Sequence, residues 1–352
     1  MDHTLRFAVL QGDGIGPEVV PVAVDAAVAV LAEHGVRAQP EVLPFGSSAI
    51  DSDGAPLPER TLSALDTHDL WVVGPHDSAS YPAELRYPPP GAVLRSRGGL
   101  YANLRPARAD VNIPALAPDI DVLIVRENSE GLYADRNMAV GSGEFMPTPD
   151  VAMAVGVITR AATERIAVRA FDAAEQRRRH VTIVHKANVL RLTTGLFRDV
   201  CLEVAQRYPD VTVDQQHVDA MAALLVRRPA DFDVIVTENL FGDVLSDLAA
   251  ELSGSLGLAA SINCSDDTVM AQAVHGAAPD IAGRGVADPI AMVGSVALAL
   301  DWYGRRYGDD RVRAAACELD AAVAATVAAG IATPDLGGTA TTAEFAERLR
   351  QH

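Results

Sequence analysis

The sequence predicts an α/β fold with a largely parallel or mixed sheet, divided into two domains. Apolar, β-branched runs alternate with helical patterns along the chain, and turn signals separate them. The length of 352 residues corresponds to about two domains of roughly 150 residues each. Strands are predicted at residues 6–11, 70–74, 122–126, 181–186, 211–218 and 232–237. Helices are predicted after Pro17 and at residues 161–178, 192–207 and 242–252.

Two segments interrupt this alternation. Residues 81–97 contain several prolines and glycines, and residues 253–263 are rich in glycine and serine. Such segments favour a cleft or a crossing between domains. We therefore expect a nested layout, in which the middle third of the chain forms one domain and the two ends join to form the other.

Composition and charge exclude several classes of protein. The longest stretches without a charge are 14 residues, shorter than the roughly 20 apolar residues that span a bilayer. The net charge of -18 disfavours nucleic acid and anionic membranes as partners. Three well-separated cysteines show neither metal-ligand spacing nor a disulfide framework. That usage suits a reducing compartment, so we expect a cytoplasmic protein.

The chain contains a single lysine. Of its 29 basic residues, 28 are arginine, and the remaining one is Lys186. GC-rich coding accounts for the arginines, and chance survival of one lysine is an alternative explanation. However, arginine cannot replace lysine where the group must give up its proton, because guanidinium stays protonated in proteins. Lys186 is therefore a candidate proton-transfer residue.

A glycine-rich turn follows the first predicted strand. Its sequence, GDGIGPE at residues 12–18, has the spacing G-x-G-x-G rather than the G-x-G-x-x-G of a dinucleotide fingerprint. Pro17 suits the first turn of a helix. The motif is compatible with a tight strand-to-helix turn and with a phosphate cradle, and both interpretations stay open.

An acidic stripe marks the predicted helix 242–252. Asp243, Asp247 and Glu251 recur at i, i+4 and i+8, which a solvated helix face would also explain. Asp243 opens its helix after an apolar strand, at the end of the sheet that faces the cleft in α/β proteins. Asp219 also follows a strand end. Carboxylate oxygens alone suit a hard cation such as Mg²⁺ or Mn²⁺.

Three arginines lie near apolar strand ends or glycine turns: Arg95, Arg105 and Arg126. Guanidinium groups match carboxylates in a bidentate geometry, so three of them beside a metal describe a pocket for a small polycarboxylate. Structural pairing with Glu127 and Glu130 is the alternative. Tyr133 is of interest because it follows Arg126 so closely.

The loop HGAAPDIAG at residues 275–283 combines a histidine with an aspartate between glycines. Such a loop can hold an adenosine, with the His275 imidazole against the base and the Asp280 carboxylate on the ribose hydroxyls. Taken alone, the motif is better explained as an ordinary surface loop.

Eight blocks in order resemble the metal-dependent β-decarboxylating dehydrogenases, the isocitrate/isopropylmalate dehydrogenase family. That family includes 3-isopropylmalate, isocitrate, homoisocitrate and tartrate/D-malate dehydrogenases. The blocks are GDGIGPE (12–18), LYANLRP (100–106), VRENSEGLY (125–133), HKANVL (185–190), VDAMA (218–222), TENLFGDVLSDL (237–248), HGAAPDIAG (275–283) and PDLGGTATT (334–342).

The resemblance implies an isopropylmalate-dehydrogenase-like two-domain fold with mixed sheets, distinct from the Rossmann fold, and a homodimer. Residues 1–100 plus 254–352 are expected to form a discontinuous cofactor-binding domain. Residues 101–253 are expected to form a central domain with the metal ligands and the dimer interface. Lys186 and Asp219 are expected to enter the active site of the partner subunit.

The resemblance also implies a role for each matching residue. Tyr133 and Lys186 are expected to be the catalytic pair. The expected metal ligands, for Mg²⁺ or Mn²⁺, are Asp219, Asp243 and Asp247. The expected substrate-binding residues are Arg95, Arg105, Arg126, Lys186 and Asp219. The expected cofactor-binding residues are His275, Gly276, Ala278, Asp280, Ile281 and Asp288.

The cofactor implied by the loop is NAD. Asp280 would accept hydrogen bonds from the ribose hydroxyls and repel a 2′-phosphate. Relatives that use NADP carry Lys-Tyr where this chain has Asp280-Ile281. Two further positions depart from the family pattern. Asp288 stands where relatives usually have Asn, and Glu238 is uncommon in its block, which a surface position would explain.

The implied reaction is NAD-dependent oxidative decarboxylation of a 3-substituted malate to a 2-oxo acid and CO₂. Gly91 and Ala92 stand near the places where isopropylmalate enzymes have leucines, Pro89 and Gly91 where isocitrate enzymes have Ser and Asn, and Ala92 where homoisocitrate enzymes can have an arginine. A small, neutral, proline-rich wall favours an uncharged C3 substituent or a roomier pocket for a larger one. An isopropylmalate or alkylmalate substrate is the preferred expectation. Tartrate/D-malate, homoisocitrate or isocitrate activity, and a non-catalytic regulatory subunit, are the alternatives.

Overall fold

The computed structural model describes residues 4–85, 87–133 and 143–351. Arg86, inside the predicted cleft segment 81–97, lies outside these ranges. The strands are β1 (Thr4–Leu10), β2 (Arg37–Val42), β3 (Leu70–Val73), β4 (Ala102–Arg108), β5 (Asp121–Glu127), β6 (Glu144–Thr148), β7 (Val151–Ala154), β8 (His180–His185), β9 (Thr212–His217), β10 (Val234–Thr237), β11 (Ile262–Cys264) and β12 (Val269–Ala271). The helices are α1 (Gly16–Glu33), α2 (Ser47–Asp53), α3 (Glu59–Leu65), α4 (Pro90–Arg97), α5 (Arg160–Glu175), α6 (Thr193–Ala205), α7 (Val218–Arg227), α8 (Asn239–Ser253), α9 (Ile290–Tyr307), α10 (Asp310–Ala328) and α11 (Thr342–Leu349).

The chain divides into two compact units. The split unit contains Met1–Leu100, Asp110–Pro114 and Leu256–His352, and the central unit contains Tyr101–Ala109 and Ala115–Ser255. The roles expected for the two ends and for the middle of the chain, cofactor binding and metal binding, remain predictions.

In the split unit, strands are hydrogen-bonded in the order β2-β1-β3-β12-β11. The first three pairings are parallel, and β11 pairs with β12 antiparallel. Helix α9 packs against α10 and α1. The core of this unit is formed by fully apolar strands such as β3 and by large buried side chains such as Trp71, because burying that area supplies most of the favourable free energy of folding.

In the central unit, strands are hydrogen-bonded in the order β4-β5-β10-β8-β9. Strand β4 is antiparallel to β5, and the remaining pairings are parallel. Helices α7 and α8 contact each other, as do α5 and α6. Strands β6 and β7 form a separate antiparallel pair whose residues are all exposed.

The predicted α/β class with mixed sheets is confirmed, and each predicted strand and helix is present within a few residues of its expected bounds. Neither strand order matches the 3-2-1-4-5-6 order of a Rossmann sheet. Helix α8 begins at Asn239, three residues before the predicted start at residue 242. No helix in the described part of the chain combines the length and apolarity needed to cross a bilayer.

Candidate active site

Helix α8 begins directly after the buried strand β10, and its start is fixed by a carboxylate. The Glu238 side chain accepts hydrogen bonds from the backbone N–H groups of Leu240 (3.1 Å) and Phe241 (2.8 Å). A carboxylate satisfies the free N–H groups of a helix start and interacts favourably with its dipole. Glu238 is only 5% exposed, so the surface position considered for it is wrong. The helix then carries Asp243 and Asp247 one turn apart.

Arg126 lies next to this helix start because strands β5 and β10 are neighbours. In their parallel register, Arg126 stands opposite Thr237. Its guanidinium donates from Nη1 to Asp243 Oδ1 and from Nε to Asn239 Oδ1 at 2.9 Å. Gly242 permits this approach, since a β-carbon there would come within 2.7 Å of Arg126 Cγ. The arginine is 6% exposed, which makes its partners necessary.

Arg105 and Tyr133 complete the same group. Arg105 Nη1 donates to Asp247 Oδ1 at 3.0 Å, and its Nη2 lies 3.4 Å from Asp243 Oδ1. The Tyr133 hydroxyl donates to Asp243 Oδ2, and the Arg126 guanidinium lies 5.6 Å from the centre of the Tyr133 ring. We call these five residues, Arg105, Arg126, Tyr133, Asp243 and Asp247, the Asp243 cluster.

Burial and charge act in opposite directions inside the Asp243 cluster. Burial alone would raise the pKa of Asp243, but Arg126, the Tyr133 hydroxyl and Arg105 together lower it. The pKa of Asp247 is raised, by burial first and also by Asp243, although Arg105 opposes the shift. Burial and the bond to Asp243 raise the pKa of Tyr133. The cluster therefore contains an anionic centre and a phenol that keeps its proton.

The loop before Tyr133 is held by three residues to which the sequence pattern assigned no such role. Glu127 accepts hydrogen bonds from the backbone N–H groups of Ser129 and Glu130. Asn239, fully buried, donates from Nδ2 to the Glu130 carbonyl at 2.8 Å. Glu130 Oε2 in turn accepts from Thr159 N at 2.7 Å. In these bonds Glu127 and Glu130 accept from backbone N–H groups, whereas the alternative considered from the sequence paired them with the arginines.

Lys186 and Asp219 form a second pair. Strands β8 and β9 are parallel, with His185 opposite His217, so the residues that follow them emerge side by side at the carboxyl edge of the sheet. Lys186 Nζ lies 2.6 Å from Asp219 Oδ1. The hydrogen bond from Lys186 lowers the pKa of Asp219. The Asp219 side chain is 67% exposed.

The three predicted metal ligands do not assemble within one chain. Asp243 and Asp247 belong to the Asp243 cluster, whereas Asp219 is bonded to Lys186. Among the described residues, no three His, Cys, Asp or Glu side chains are grouped as metal ligands. The donor set on α8 fits a hard cation in its chemistry, because both ligands are carboxylates. It supplies two of the three expected protein ligands.

The loop 275–288, which we call the cofactor loop after its predicted role, packs against the glycine-rich turn in the split unit. Gly14 has a φ of 58°, and a β-carbon there would meet the Ala277 carbonyl at 1.9 Å. The Ile15 N–H donates to that same carbonyl at 2.9 Å. Glu18 in the first turn of α1 accepts a hydrogen bond from the Gly283 N–H. The glycine spacing of residues 12–16 is therefore that of a tight turn, and the absence of a side chain at Gly14 lets the cofactor loop pack against it.

Within the cofactor loop, Ala278 adopts a φ of 42° and Asp280 is exposed. His275 Nε2 is buried without a hydrogen-bond partner in the described residues, and burial lowers the pKa of this imidazole. An unsatisfied buried nitrogen at the predicted adenosine position fits a ligand that would bond to it. Asp288 is buried instead, and its Oδ1 accepts from the Ile290 N–H at 2.7 Å.

Arg95 lies in the last turn of α4, in the split unit. Burial lowers the pKa of His76, and the nearby Arg95 guanidinium adds to the shift. A cavity of about 150 Å³ adjoins this helix, and the described residues that line it are uncharged, including Tyr81, Tyr87 and Pro90.

The family model described as isocitrate/isopropylmalate dehydrogenase matches residues 6–349. The chain belongs to the isocitrate/isopropylmalate dehydrogenase family. This confirms the resemblance expected from the eight sequence blocks, and it places the protein among oxidoreductases that act on hydroxy acids.

Members of the family resemble this chain along nearly its whole length. It is 41% identical over 345 residues to 3-isopropylmalate dehydrogenase of Archaeoglobus fulgidus, covering 98% of each chain. It is 42% identical over 350 residues to isocitrate/homoisocitrate dehydrogenase of Thermus thermophilus, covering 98% of this chain and 97% of that one. The solved isocitrate dehydrogenase of Methylococcus capsulatus is similar with a TM-score of 0.84 and 38% identity, over 99% and 98% of the two chains.

Proposed function

We propose that this protein catalyses NAD- and Mg²⁺- or Mn²⁺-dependent oxidative decarboxylation of a 3-substituted malate, with an alkylmalate such as isopropylmalate as the preferred substrate. One observation carries the proposal: two guanidinium groups and a phenol converge on the Asp243 carboxylate. That arrangement combines groups that bind carboxylates, a donor of a proton and a candidate metal ligand.

The charges of the Asp243 cluster support a binding step in which the arginine–aspartate pairs are replaced by arginine–substrate and aspartate–cation pairs. Its two arginines are balanced by its two aspartates. A divalent cation and a substrate with two carboxylates add no net charge to this balance. Asp243 and Asp247 would then turn to the cation while Arg105 and Arg126 turn to the substrate carboxylates. No residue in the cluster would be left as a buried, uncompensated charge.

We assign the proton transfers to Lys186 and Tyr133. Lys186 accepts the proton of the C2 hydroxyl, which arginine could not do. Tyr133 donates a proton to C3 after CO₂ leaves, and its raised pKa keeps it protonated until then. The bound divalent ion would lower the pKa of the hydroxyl and stabilise developing negative charge. The nicotinamide would accept the hydride from C2. Arg95 is the third proposed carboxylate ligand.

We propose NAD rather than NADP as the cofactor. Support comes from the exposed Asp280 carboxylate, which would repel a 2′-phosphate. His275 Nε2, which has no hydrogen-bond partner among the described residues, supports the same loop as an adenosine site. Gly276, Ala278, Ile281 and Asp288 would shape the site around them.

We further propose a homodimer in which Lys186 and Asp219 of one copy complete the Asp243 cluster of the other. Among the described residues of one chain, Asp219 is bonded to Lys186 and is not grouped with Asp243 and Asp247, which supports this arrangement. Exposed apolar side chains also support it, because soluble proteins seldom leave such groups uncovered together. Val189 and Leu192, which follow Lys186, are 66% and 88% exposed, and Met146 and Met153 on the β6–β7 pair are 63% and 50% exposed.

The absence of any charged residue from the segment 87–94 supports an apolar substituent at C3. A carboxylate-bearing substituent, as in isocitrate or homoisocitrate, would require a charged partner there. Isocitrate and homoisocitrate remain the second candidates, because relatives named for them are as similar to this chain as those named for isopropylmalate.

The test is a panel of malates that differ only at C3. Unsubstituted, hydroxy, methyl, isopropyl, carboxymethyl and carboxyethyl derivatives are each assayed with NAD⁺ and Mg²⁺, and NADH is followed by its absorbance. We expect the highest kcat/KM with an alkyl substituent and loss of activity after chelation of the metal. A preference for the carboxyl-bearing compounds would favour the second candidates, and no turnover of any compound would overturn the proposal.

A further inference from the structure

The end of the cofactor loop is bonded to the segment 333–342, which includes the block PDLGGTATT. The Thr342 N–H donates to the Gly285 carbonyl at 2.9 Å, and Thr342 Oγ1 donates to the Ala287 carbonyl at 2.7 Å. A third contact joins Asp288 to Thr333. All three bonds lie within the split unit. The segment therefore anchors the loop, a role that the sequence pattern did not assign to it.

The Thr333 hydroxyl lies within hydrogen-bond distance of two carboxyl groups, those of Asp288 and Asp335. If both are ionised, only one of these two contacts can be a hydrogen bond. Thr333 Oγ1 lies 3.0 Å from Asp288 Oδ2 and 2.6 Å from Asp335 Oδ1. A hydroxyl has one proton to donate, and an ionised carboxylate can only accept. Thr333 is fully buried, so one acceptor would face the hydroxyl without a hydrogen between them.

A proton on Asp288 resolves this conflict. Asp288 would donate from Oδ2 to Thr333 Oγ1, and Thr333 would donate to Asp335. Asp288 is 8% exposed, whereas Asp335 is exposed, and burial penalises the charged form. Asp288 Oδ1 would still accept from the Ile290 N–H. A protonated Asp288 thus presents one donor and one acceptor, as an asparagine does.

The surrounding charges agree with this assignment. Asp335 faces Asp288 across Thr333, and its negative charge opposes ionisation of Asp288. The first turn of α9, Ile290 to Val293, contains no titratable side chain. In α11, Glu344 is turned to Thr341 N and Oγ1. Burial raises the pKa of Asp288 to about 7, and Asp335 adds to that effect.

We infer that Asp288 is a neutral carboxylic acid that pins the end of the cofactor loop to Thr333, and that its ionisation releases this hold and weakens binding of the NAD adenosine. Asp288 is a positioning residue in this account, because both of its oxygens bond to protein groups. The inference rests on the proposed function only for the identity of the nucleotide.

The ionisation of Asp288 predicts a pH dependence of nucleotide affinity and a different pH dependence of the stability of the fold. Below about pH 7 Asp288 is protonated in the folded protein, so nucleotide affinity is fully present there and is lost as the pH rises through that value. The stability of the fold behaves differently. The folded state holds this proton more tightly than an unfolded aspartate with a pKa of 3.8, so stability falls as the pH rises from about 4 to 7 and is level above.

The experiment compares the wild type with Asp288→Asn, Asp288→Ala and Asp335→Asn. Infrared difference spectra of the protein without nucleotide, wild type minus Asp288→Asn, are recorded from pH 5 to 9. We expect the carbonyl band of a protonated carboxylic acid, lost with a midpoint near pH 7. In Asp335→Asn the midpoint moves to lower pH, because the repelling charge is gone.

Nucleotide binding is then measured by calorimetry with NAD⁺ across the same range. Wild-type affinity is expected to fall by about tenfold above pH 7, a typical effect of one buried hydrogen bond. Asp288→Asn should keep the affinity of the wild type at pH 6 and lose the pH dependence. Asp288→Ala should bind weakly at every pH. The thermal midpoint of Asp288→Asn should exceed that of the wild type at pH 8 and match it near pH 4.

The outcomes separate the inference from the proposed function. Absence of the acid band at pH 6, or Asp288→Asn binding as weakly as Asp288→Ala, would overturn the inference. If the band titrates as expected but no variant binds NAD⁺ at any pH, the proposed cofactor and the positioning role are overturned. The protonated state of Asp288 would still stand.

Discussion

The Asp243 cluster and the cofactor loop are built on opposite electrostatic principles. In the cluster, every charged side chain is paired with another charge of the same group. The cofactor loop is held mainly by backbone carbonyls, a glycine contact and the buried side chains of Asp288 and Thr333. In the proposed function the cluster would exchange partners to bind a charged substrate, whereas the contacts that hold the loop are already formed. Substitutions in the first region should therefore affect turnover, and those in the second should affect cofactor affinity.

Lys186→Arg is the substitution with the largest expected effect. It keeps the positive charge beside Asp219 but removes the group that can give up a proton. We expect kcat to fall by more than tenfold, a loss above about 1.4 kcal/mol, while NAD⁺ affinity measured by calorimetry is unchanged. A variant that retains more than about a tenth of wild-type kcat would refute the assignment of the base.

Asn239→Ala should have the next largest effect. It removes the amide that joins Arg126 to the loop before Tyr133. Leaving these buried groups unpaired costs about 1–3 kcal/mol, so we expect a fall in kcat of roughly 10- to 100-fold. The kinetic measurement should show little change in the KM for NAD⁺.

The matched control for Asn239 is Val204→Ala, which also removes buried atoms of the central unit but lies on α6. It should lower the thermal midpoint without a specific loss of kcat. Equal losses of kcat in both variants would mean that Asn239 acts only through stability. A loss confined to Asn239→Ala would assign it a positioning role.

Exchange of the Asp280-Ile281 pair for Lys-Tyr should have the smallest effect, confined to cofactor choice. Asp280 is exposed and Ile281 is half-buried, so the fold should tolerate the change. We expect the ratio of kcat/KM for NAD⁺ to that for NADP⁺ to fall by at least about tenfold, because a cation replaces the repelling carboxylate. A change in kcat with NAD⁺ at saturation, without a change in this ratio, would contradict the separation of the two regions.

Much of the fold was predictable because the apolar strands and their helices carry strong periodic patterns. The buried runs of β5, β8 and β10 are examples. The start of α8 at Asn239 was not predictable from the sequence, because its N-cap is the Glu238 carboxylate and not one of the usual short side chains. The exposed pair β6–β7 has no buried face, so its sequence lacks the alternation that marks a half-buried strand.

The candidate site was predictable where residue type alone indicates chemistry. A single lysine, carboxylates at strand ends and arginines beside apolar runs all have distinctive patterns. Glu127, Asn239 and Thr333 do not, because their roles depend on bonds to residues distant in sequence. Spacing along the chain contains no signal for such contacts, and only the folded arrangement reveals them.

The central claim, that Lys186 of one copy serves the Asp243 cluster of another, is tested most directly by mixing two inactive variants. Lys186→Arg and Asp243→Asn are each purified, mixed, allowed to exchange subunits and assayed for NADH formation. A mixed dimer would contain one site with both native groups, so random exchange predicts recovery of about a quarter of wild-type activity. If exchange is verified by mass spectrometry and no activity returns, the two groups do not meet across a dimer and the account is contradicted.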